Sequence, residues 1–119
     1  MKEMRTLGFT EREAIQAIVD LMRKQRLQLP VGQVVALELQ EDPVCATLII
    51  EDDAGQQHRV PRNVAELAAS LVNYCIDRKI RLPTMANKFV EVIAGSLNLI
   101  IYLDDVESAT SKKGTVRRG

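Results

Sequence analysis

The residues best suited to chemistry surround the single histidine, His58, in the segment QQHRVPRN. Asp52 and Asp53 precede it across a predicted turn. An imidazole beside a carboxylate can act as a general base or help to bind a cation. A histidine on an exposed edge strand can also have neither role, since a single residue is weak evidence for a functional site. A small metal-dependent enzyme around His58 is therefore one alternative, but we assign no catalytic residue, no metal ligand and no cofactor.

Acidic residues recur at equivalent places in the chain, as Glu51-Asp52-Asp53 and as Asp104-Asp105. If the fold brought them together, their oxygens could bind a divalent cation. Their spacing matches no calcium loop, and acids at strand ends are usually solvated turn residues. The sequence contains no glycine-rich phosphate loop, nucleophile elbow, H-E-x-x-H or C-x-x-C motif. It therefore favours a non-enzymatic protein.

Basic residues are concentrated at the predicted C-terminal ends of two helices. Cations complement the helix dipole there, which explains their placement without any ligand. A pair of such patches could also contact phosphates, so a nucleic-acid-binding protein is a further alternative. No set of aromatic side chains accompanies the cations to stack on bases, and aromatic residues make up only 3% of the chain. The candidate basic patch consists of Arg23, Lys24, Arg26, Arg78, Lys79 and Arg81.

Three more cations lie near prolines that interrupt the regular pattern. Arg59 and Arg62 flank Pro61, and Lys88 follows the Leu82-Pro83 corner. Binding groups are common at loops and at the ends of secondary-structure elements. We therefore take Arg59, Arg62 and Lys88 as a candidate surface for a partner.

The composition is that of one ordinary globular domain: 119 residues, 46% hydrophobic and 27% charged, with 16 basic and 16 acidic residues. Residues 106–119 contain four basic residues and Glu107, a local charge of +3, so the remainder carries −3. A domain with this balance has no strong general attraction for nucleic acid or anionic membranes. Cys45 and Cys75 lack metal-ligand spacing, which suits free thiols in the cytoplasm. No run is long and apolar enough to cross a membrane.

The pattern that organises the chain is an internal repeat with an offset of 53 residues. LMRKQRLQLP at 21–30 corresponds to YCIDRKIRLP at 74–83. Before each segment lies an amphipathic helix that opens with a capping-box pattern, Thr10 with Glu13 or Asn63 with Glu66. After each segment come two runs with strand-like alternation. The sequence predicts an α+β protein with a duplicated α-β-β unit, in which two helices pack on one face of an antiparallel sheet.

The predicted boundaries are an N-terminal arm at 1–9, a single α+β domain at 10–105 with repeat units 10–53 and 63–105, and a disordered basic tail at 106–119. Residues 56–60 form a polar edge strand in this scheme. The last strand is apolar on both faces, so we expect it to be central, with any uncovered surface buried in a homodimer. The preferred function is a small cytoplasmic interaction or adaptor module that contacts itself or another protein.

Overall fold

The computed structural model describes residues 2–84 and 86–104. Six strands and two helices are found in these residues. In chain order they are β1 (Lys2–Phe9), α1 (Glu11–Lys24), β2 (Gln33–Gln40), β3 (Cys45–Glu51), β4 (Gln57–Asn63), α2 (Val64–Asp77), β5 (Asn87–Ile93) and β6 (Ser96–Asp104).

Both helices begin at the predicted capping boxes. The Thr10 amide donates to Glu13 Oε1 at 2.9 Å, and the Glu13 amide donates to Thr10 Oγ1 at 3.1 Å. The corresponding bonds between Asn63 and Glu66 are both 2.8 Å long. These reciprocal bonds satisfy backbone amides that have no partner inside the helix, which fixes where each helix starts.

Both helices also end in the same way, well before the Leu-Pro pairs. Arg26 and Lys79, at equivalent positions of the repeat, adopt left-handed backbone conformations with φ of 58° and 59°. The amide of the next residue, Leu27 or Ile80, donates to the carbonyl five residues earlier at 2.9 or 2.8 Å. This is the Schellman motif, which closes the last helical turn and reverses the chain direction.

The strands form two antiparallel three-stranded sheets. Sheet A has the order β1-β6-β5, and sheet B has the order β2-β3-β4. The α+β class with antiparallel strands is confirmed. So are the central position of the last strand, β6, and the edge position of the polar strand, β4.

The prediction of an N-terminal arm at residues 1–9 is wrong for Lys2–Phe9, which form β1. This strand pairs with β6 in continuous register from Lys2 opposite Asp104 to Phe9 opposite Leu97. The pairing satisfies the backbone groups of β1 on the side that faces β6, although half of its residues are charged or polar. With this strand included, the offset of 53 residues places β1 over β4 and α1 over α2, so each half reads β-α-β-β.

The two halves exchange their first strands. β1 precedes α1 in the first half but pairs with β6 of the second half. β4 precedes α2 in the second half but pairs with β3 of the first half. Each sheet therefore combines the hairpin of one half with the opening strand of the other.

One hydrophobic core joins both halves. The helices pack against each other, α1 contacts β1, β2 and β6, and α2 contacts β3, β4 and β5. The equivalent small residues Ala17 and Ser70 are fully buried and allow close approach of the helices. The buried core cluster comprises Phe9, Ala14, Ala17, Ile18, Val19, Met22, Leu37, Ala46, Leu48, Leu67, Leu71, Cys75, Val90, Leu97, Leu99 and Ile101.

The turn between β5 and β6 consists of two residues. Ala94 and Gly95 occupy it, with φ of 52° and 78°, and Ile93 pairs with Ser96. Two successive residues with positive φ suit the right-handed twist of a two-residue hairpin. The predicted tail at 106–119 lies outside the described residues. Within the described residues, neither helix has the length and apolar character that crossing a membrane requires.

Candidate interaction surface

The outer faces of the two sheets, directed away from the helices, differ in character. In sheet A, Met4 lies opposite Tyr102, and Thr6 lies opposite Ile100, which in turn lies opposite Phe89. Side chains alternate between the faces of a strand, so these residues share the outer face while Leu97, Leu99 and Ile101 enter the core. Sheet A therefore has large apolar side chains on both faces.

Large apolar side chains remain accessible on this outer face. Met4 is 66% exposed, Phe89 is 53% exposed and Ile93, near the β5–β6 turn, is 44% exposed. Ile100 lies between Thr6 and Phe89 and is only 9% exposed. We call Met4, Phe89, Ile93, Ile100 and Tyr102 the apolar face of sheet A. Exposed apolar side chains grouped on one face are typical of an interaction surface.

The outer face of sheet B is polar by comparison. Glu38 on β2 and Arg59 on β4 form an ion pair across the central strand β3. Ile49 on β3 pairs with Arg59 in register and is only 3% exposed. Arg59, part of the predicted partner surface, is thus held by a carboxylate of its own sheet.

The two helix ends of the predicted basic patch meet where α1 packs on α2. Lys24 Nζ donates to Asp77 Oδ1 at 3.0 Å and to Asn73 Oδ1 at 2.6 Å. Lys24 and Asp77 occupy equivalent positions of the repeat, 53 residues apart, so the contact joins the two halves. This contact neutralises one cation of the patch.

Arg78 is engaged in a similar way. Its guanidinium carbon lies 3.6 Å from the centroid of the Tyr74 ring, and its Nη1 lies 4.0 Å from Asp20 Oδ2. A cation over an aromatic face is attracted by the electron-rich ring, and the carboxylate adds to this attraction. The four other members of the predicted patch, which are all exposed, are Arg23, Arg26, Lys79 and Arg81.

The histidine forms a pair with an acid that also organises a turn. His58 Nε2 lies 2.8 Å from Asp52 Oδ2. The other oxygen of Asp52 accepts hydrogen bonds from the Ala54 and Gln56 amides at 3.0 and 2.9 Å. The His58 hydrogen bond, with the bond from Gln56, holds the pKa of Asp52 below its usual value of 3.8. Asp52 therefore mainly stabilises the turn between β3 and β4 by accepting hydrogen bonds from residues of that turn.

His58 and Asp52 have no further metal-binding side chains grouped with them in the part of the chain that the structure describes. Among residues 2–84 and 86–104, no group of three or more histidine, cysteine, aspartate or glutamate side chains is placed to hold a metal ion. The second acidic pair includes Asp105, which lies outside the described residues. The hypothesis of a cation shared between the two acidic clusters therefore stays a prediction.

The remaining two residues of the predicted partner surface are partly or fully enclosed. The Arg62 side chain is only 8% exposed, and its Nη1 lies 3.3 Å from Glu66 Oε2. Its buried Nε has no hydrogen-bond partner among the described residues. Lys88 Nζ donates to the carbonyls of Pro83 and Ala86 at 3.0 and 3.3 Å, which closes the loop before β5.

Both cysteines are free thiols, Cys45 half-buried and Cys75 buried. Burial raises the pKa of the Cys75 thiol. A protonated thiol in an apolar core is a poor nucleophile, so Cys75 serves packing.

Met4 is the residue of the apolar face that sequence reasoning missed. The alternation of Leu7 and Phe9 is the only signal for a strand there, because the other inward residues, Glu3 and Arg5, are charged. Ile100 belongs to the last strand, which the sequence identifies as apolar on both faces, and Phe89 and Ile93 lie on the neighbouring strand β5. No protein-family model, no curated protein and no solved structure matches this chain.

Proposed function

We propose that this protein is a non-enzymatic interaction module that forms a homodimer through the apolar face of sheet A. The observation that carries the proposal is the cluster of Met4 and Phe89 around Ile100 on a sheet face that the described residues leave uncovered. Removing such side chains from water stabilises an association by about 1.5–3 kcal/mol for each one fully buried. Free Cys45 and Cys75 agree with a proposed place in the cytoplasm.

The chemistry of the face supports a second copy as the partner. Glu91 and Asn98 lie side by side in register next to the apolar cluster, and Glu91 is the one carboxylate on β5. Two such faces can therefore meet without bringing many like charges together, since like charges in an interface are costly. Sheet B, with its Glu38–Arg59 pair, has no comparable apolar surface on its outer side.

The size of the face is sufficient for a reversible dimer. Strands about 4.8 Å apart that rise about 3.3 Å per residue give a three-stranded face of roughly 350 Å² in projection. Two such faces bury on the order of 1,000 Å² of accessible surface, the lower limit for a specific interface. We therefore expect an equilibrium between monomer and dimer in the micromolar range.

The substitution Phe89→Arg tests this proposal. A buried aromatic is a typical energetic centre of an interface, and a twofold dimer loses it twice, so the dissociation constant should rise at least about 100-fold. Sedimentation-velocity ultracentrifugation over a range of concentrations measures this change. The matched control is Val35→Arg, which places the same cation on an exposed valine of sheet B and should leave the dimer intact.

Two outcomes would contradict the proposal. A wild-type protein that stays monomeric up to about 100 µM would exclude a dimer in this affinity range. Equal dissociation by Val35→Arg and Phe89→Arg would place the interface elsewhere.

A further inference from the structure

The outer face of sheet A is uneven in height from one edge strand to the other. Residues in register on neighbouring strands point to the same side of a sheet, so they form rows across β1, β6 and β5. One row runs from Thr6 through Ile100 to Phe89, and the next runs from Gly8 through Asn98 to Glu91. In both rows the side chain on β5 is much larger than the side chain on β1. This part of the face is therefore high along β5 and low along β1.

The low side is formed by Thr6 and Gly8, which are both exposed. Gly8 has no side chain, and a Cβ atom there would lie 3.1 Å from Asn98 Oδ1. Asn98 Nδ2 donates to the carbonyl of Ser96 at 3.1 Å, and Asn98 as a whole is only 8% exposed. The Asn98 amide is thus held against the sheet beside Gly8. On the high side, by contrast, more than half of Phe89 is exposed.

The third row of the face has the opposite slope. It contains Met4 on β1, Tyr102 on β6 and Asn87 on β5, so its larger edge side chain lies on β1. In each of the three rows, one edge strand carries a large side chain and the other carries a smaller one. Such a surface packs most closely when the large side chains of one copy lie over the smaller ones of the other.

Two copies packed face to face are related by a twofold axis that lies between their sheets. If the axis crosses the strands at Ile100, β5 lies over the partner's β5, and Phe89 meets the partner's Phe89. If the axis runs along the strands, β5 lies over the partner's β1, and Phe89 meets the partner's Thr6. The second arrangement places a large side chain over a smaller one in all three rows.

An axis along the strands also fixes the register of the two sheets. It leaves each position along the strand unchanged, so every row faces the same row of the partner. Ile100 then lies over the partner's Ile100, and Glu91 lies over the partner's Gly8. The axis across the strands would instead leave a gap above Thr6, because the two Phe89 rings hold the sheets apart. Side chains that line such a gap lose dispersion contacts.

We infer that the twofold axis of the dimer is parallel to the strands of sheet A, with Phe89 of each copy over Thr6 of the other. Thr6 and Gly8 then determine which strand of the partner is accepted, because a larger side chain at either position would collide with the partner's β5. This inference rests on the proposed dimer. The two can fail separately, since a dimer through the same face can form around either axis.

Cysteine cross-linking at the β5–β6 turn distinguishes the two axes. Ala94 is exposed in this turn, about 17 Å along the strand from the row of Ile100. An axis along the strands brings the two copies of residue 94 to roughly 15 Å, whereas an axis across the strands separates them by more than about 30 Å. We expect a bis-maleimide with a reach between these values to link Ala94→Cys covalently, at concentrations at which ultracentrifugation shows the dimer.

The cross-linking is done in a Cys45→Ser background, which leaves buried Cys75 as the remaining native thiol. Ala54→Cys in the same background is the matched control and should give no covalent dimer. Ala54 is also an exposed alanine in a hairpin turn, but its hairpin belongs to sheet B. A dimer that depends on Phe89 but is not linked through residue 94 would overturn the inferred axis and leave the proposed function standing. A monomeric wild type would overturn both.

The substitution Thr6→Phe tests the contact with Phe89 by the sign of its effect. Thr6 is exposed in a single copy, so a larger side chain there does not disturb the core. Around the inferred axis the new ring collides with the partner's Phe89, and the dissociation constant should rise at least about 10-fold in sedimentation velocity. Around an axis across the strands it fills the gap, so a tighter dimer would overturn the inference. Mixing Thr6→Phe with Phe89→Thr should restore association, because each phenylalanine again meets a threonine.

Discussion

At the scale of single residues, Gly32 shows how closely the chain passes itself at the start of β2. Its φ is 148°, and a Cβ atom there would lie 2.4 Å from the backbone carbonyl oxygen of Glu51. A backbone atom cannot move aside as a flexible side chain can. Gly32 is therefore required by close approach as well as by its own backbone conformation.

Gly32→Ala should lower the free energy of unfolding by at least about 2 kcal/mol, because steric overlap adds to backbone strain. Gly95→Ala provides the matched control, since Gly95 has a positive φ of 78° but a Cβ atom there would meet nothing within 4 Å. That control should cost only about 1 kcal/mol. Urea denaturation of both variants measures the two values. Equal losses would show that the contact with Glu51 relaxes freely.

Asp52 makes the stability of the β3–β4 hairpin depend on pH. The His58 and Gln56 hydrogen bonds favour the carboxylate and hold the pKa of Asp52 below 3.8. A group whose pKa is lower in the folded state stabilises the fold above its unfolded pKa and loses that effect as pH falls through the folded pKa. Asp52 therefore contributes fully at neutral pH and progressively less below pH 3.8.

The variant Asp52→Asn should be less stable than the wild type above about pH 5, and the difference should shrink as the pH falls below the usual aspartate value. Thermal unfolding followed by circular dichroism over this range measures the difference. Asp53→Asn, in the same turn, serves as the control for loss of a negative charge. A constant difference at every pH would mean that the carboxylate charge has no part in the hairpin.

At the scale of elements, both helices end in a left-handed residue that is not glycine. Arg26 has a φ of 58°, and glycine adopts this conformation without the strain that a Cβ atom causes. Arg26→Gly should therefore raise the free energy of unfolding by about 0.5–1 kcal/mol. Gln25→Gly, one residue earlier with φ of −83°, should not stabilise the protein. Chemical denaturation compares the two, and stabilisation by neither would contradict the strain argument.

The helices were predictable because their signals are local. Thr10 with Glu13 and Asn63 with Glu66 mark the starts through bonds made within four residues. Sheet membership depends on distant partners instead. Nothing in the pattern of β1 shows that it pairs with β6, and Glu3 and Arg5 on its inner side weaken the alternation that identifies a strand.

The candidate surfaces, like the strand pairing, are only partly predictable from the local sequence. The apolar character of Phe89, Ile93 and Ile100 is visible in the sequence, but the contribution of Met4 depends on the unpredicted strand. The engagement of Lys24 by Asp77 depends on how the helices pack, which no local pattern specifies. The local sequence thus predicts which segments are apolar or charged. Tertiary contacts decide which of the charged side chains remain available to bind a partner.

At the scale of the whole molecule, the exchange of first strands means that neither half holds a complete sheet. A cut in the turn after Asp53 leaves β1, α1, β2 and β3 on one fragment and β4, α2, β5 and β6 on the other. We expect the fragments 1–53 and 54–119 to fold when mixed and to lack stable structure alone, because each supplies a strand and a helix that the other needs. Circular dichroism of the separate and mixed fragments tests this. A folded single fragment would contradict it.

The pairing of β1 with β6 also sets an order for synthesis on the ribosome. Sheet B can form once β4 has emerged, since its three strands follow one another directly along the chain. β1 is made first but finds its partner only when β6, the last of the described elements, has left the exit tunnel. Until β6 has been synthesised, the apolar residues Leu7 and Phe9 have no partner strand to pair with. We therefore expect sheet A to form late in folding, and a ribosome stalled before β6 would present β1 as an exposed strand open to chaperones and to aggregation.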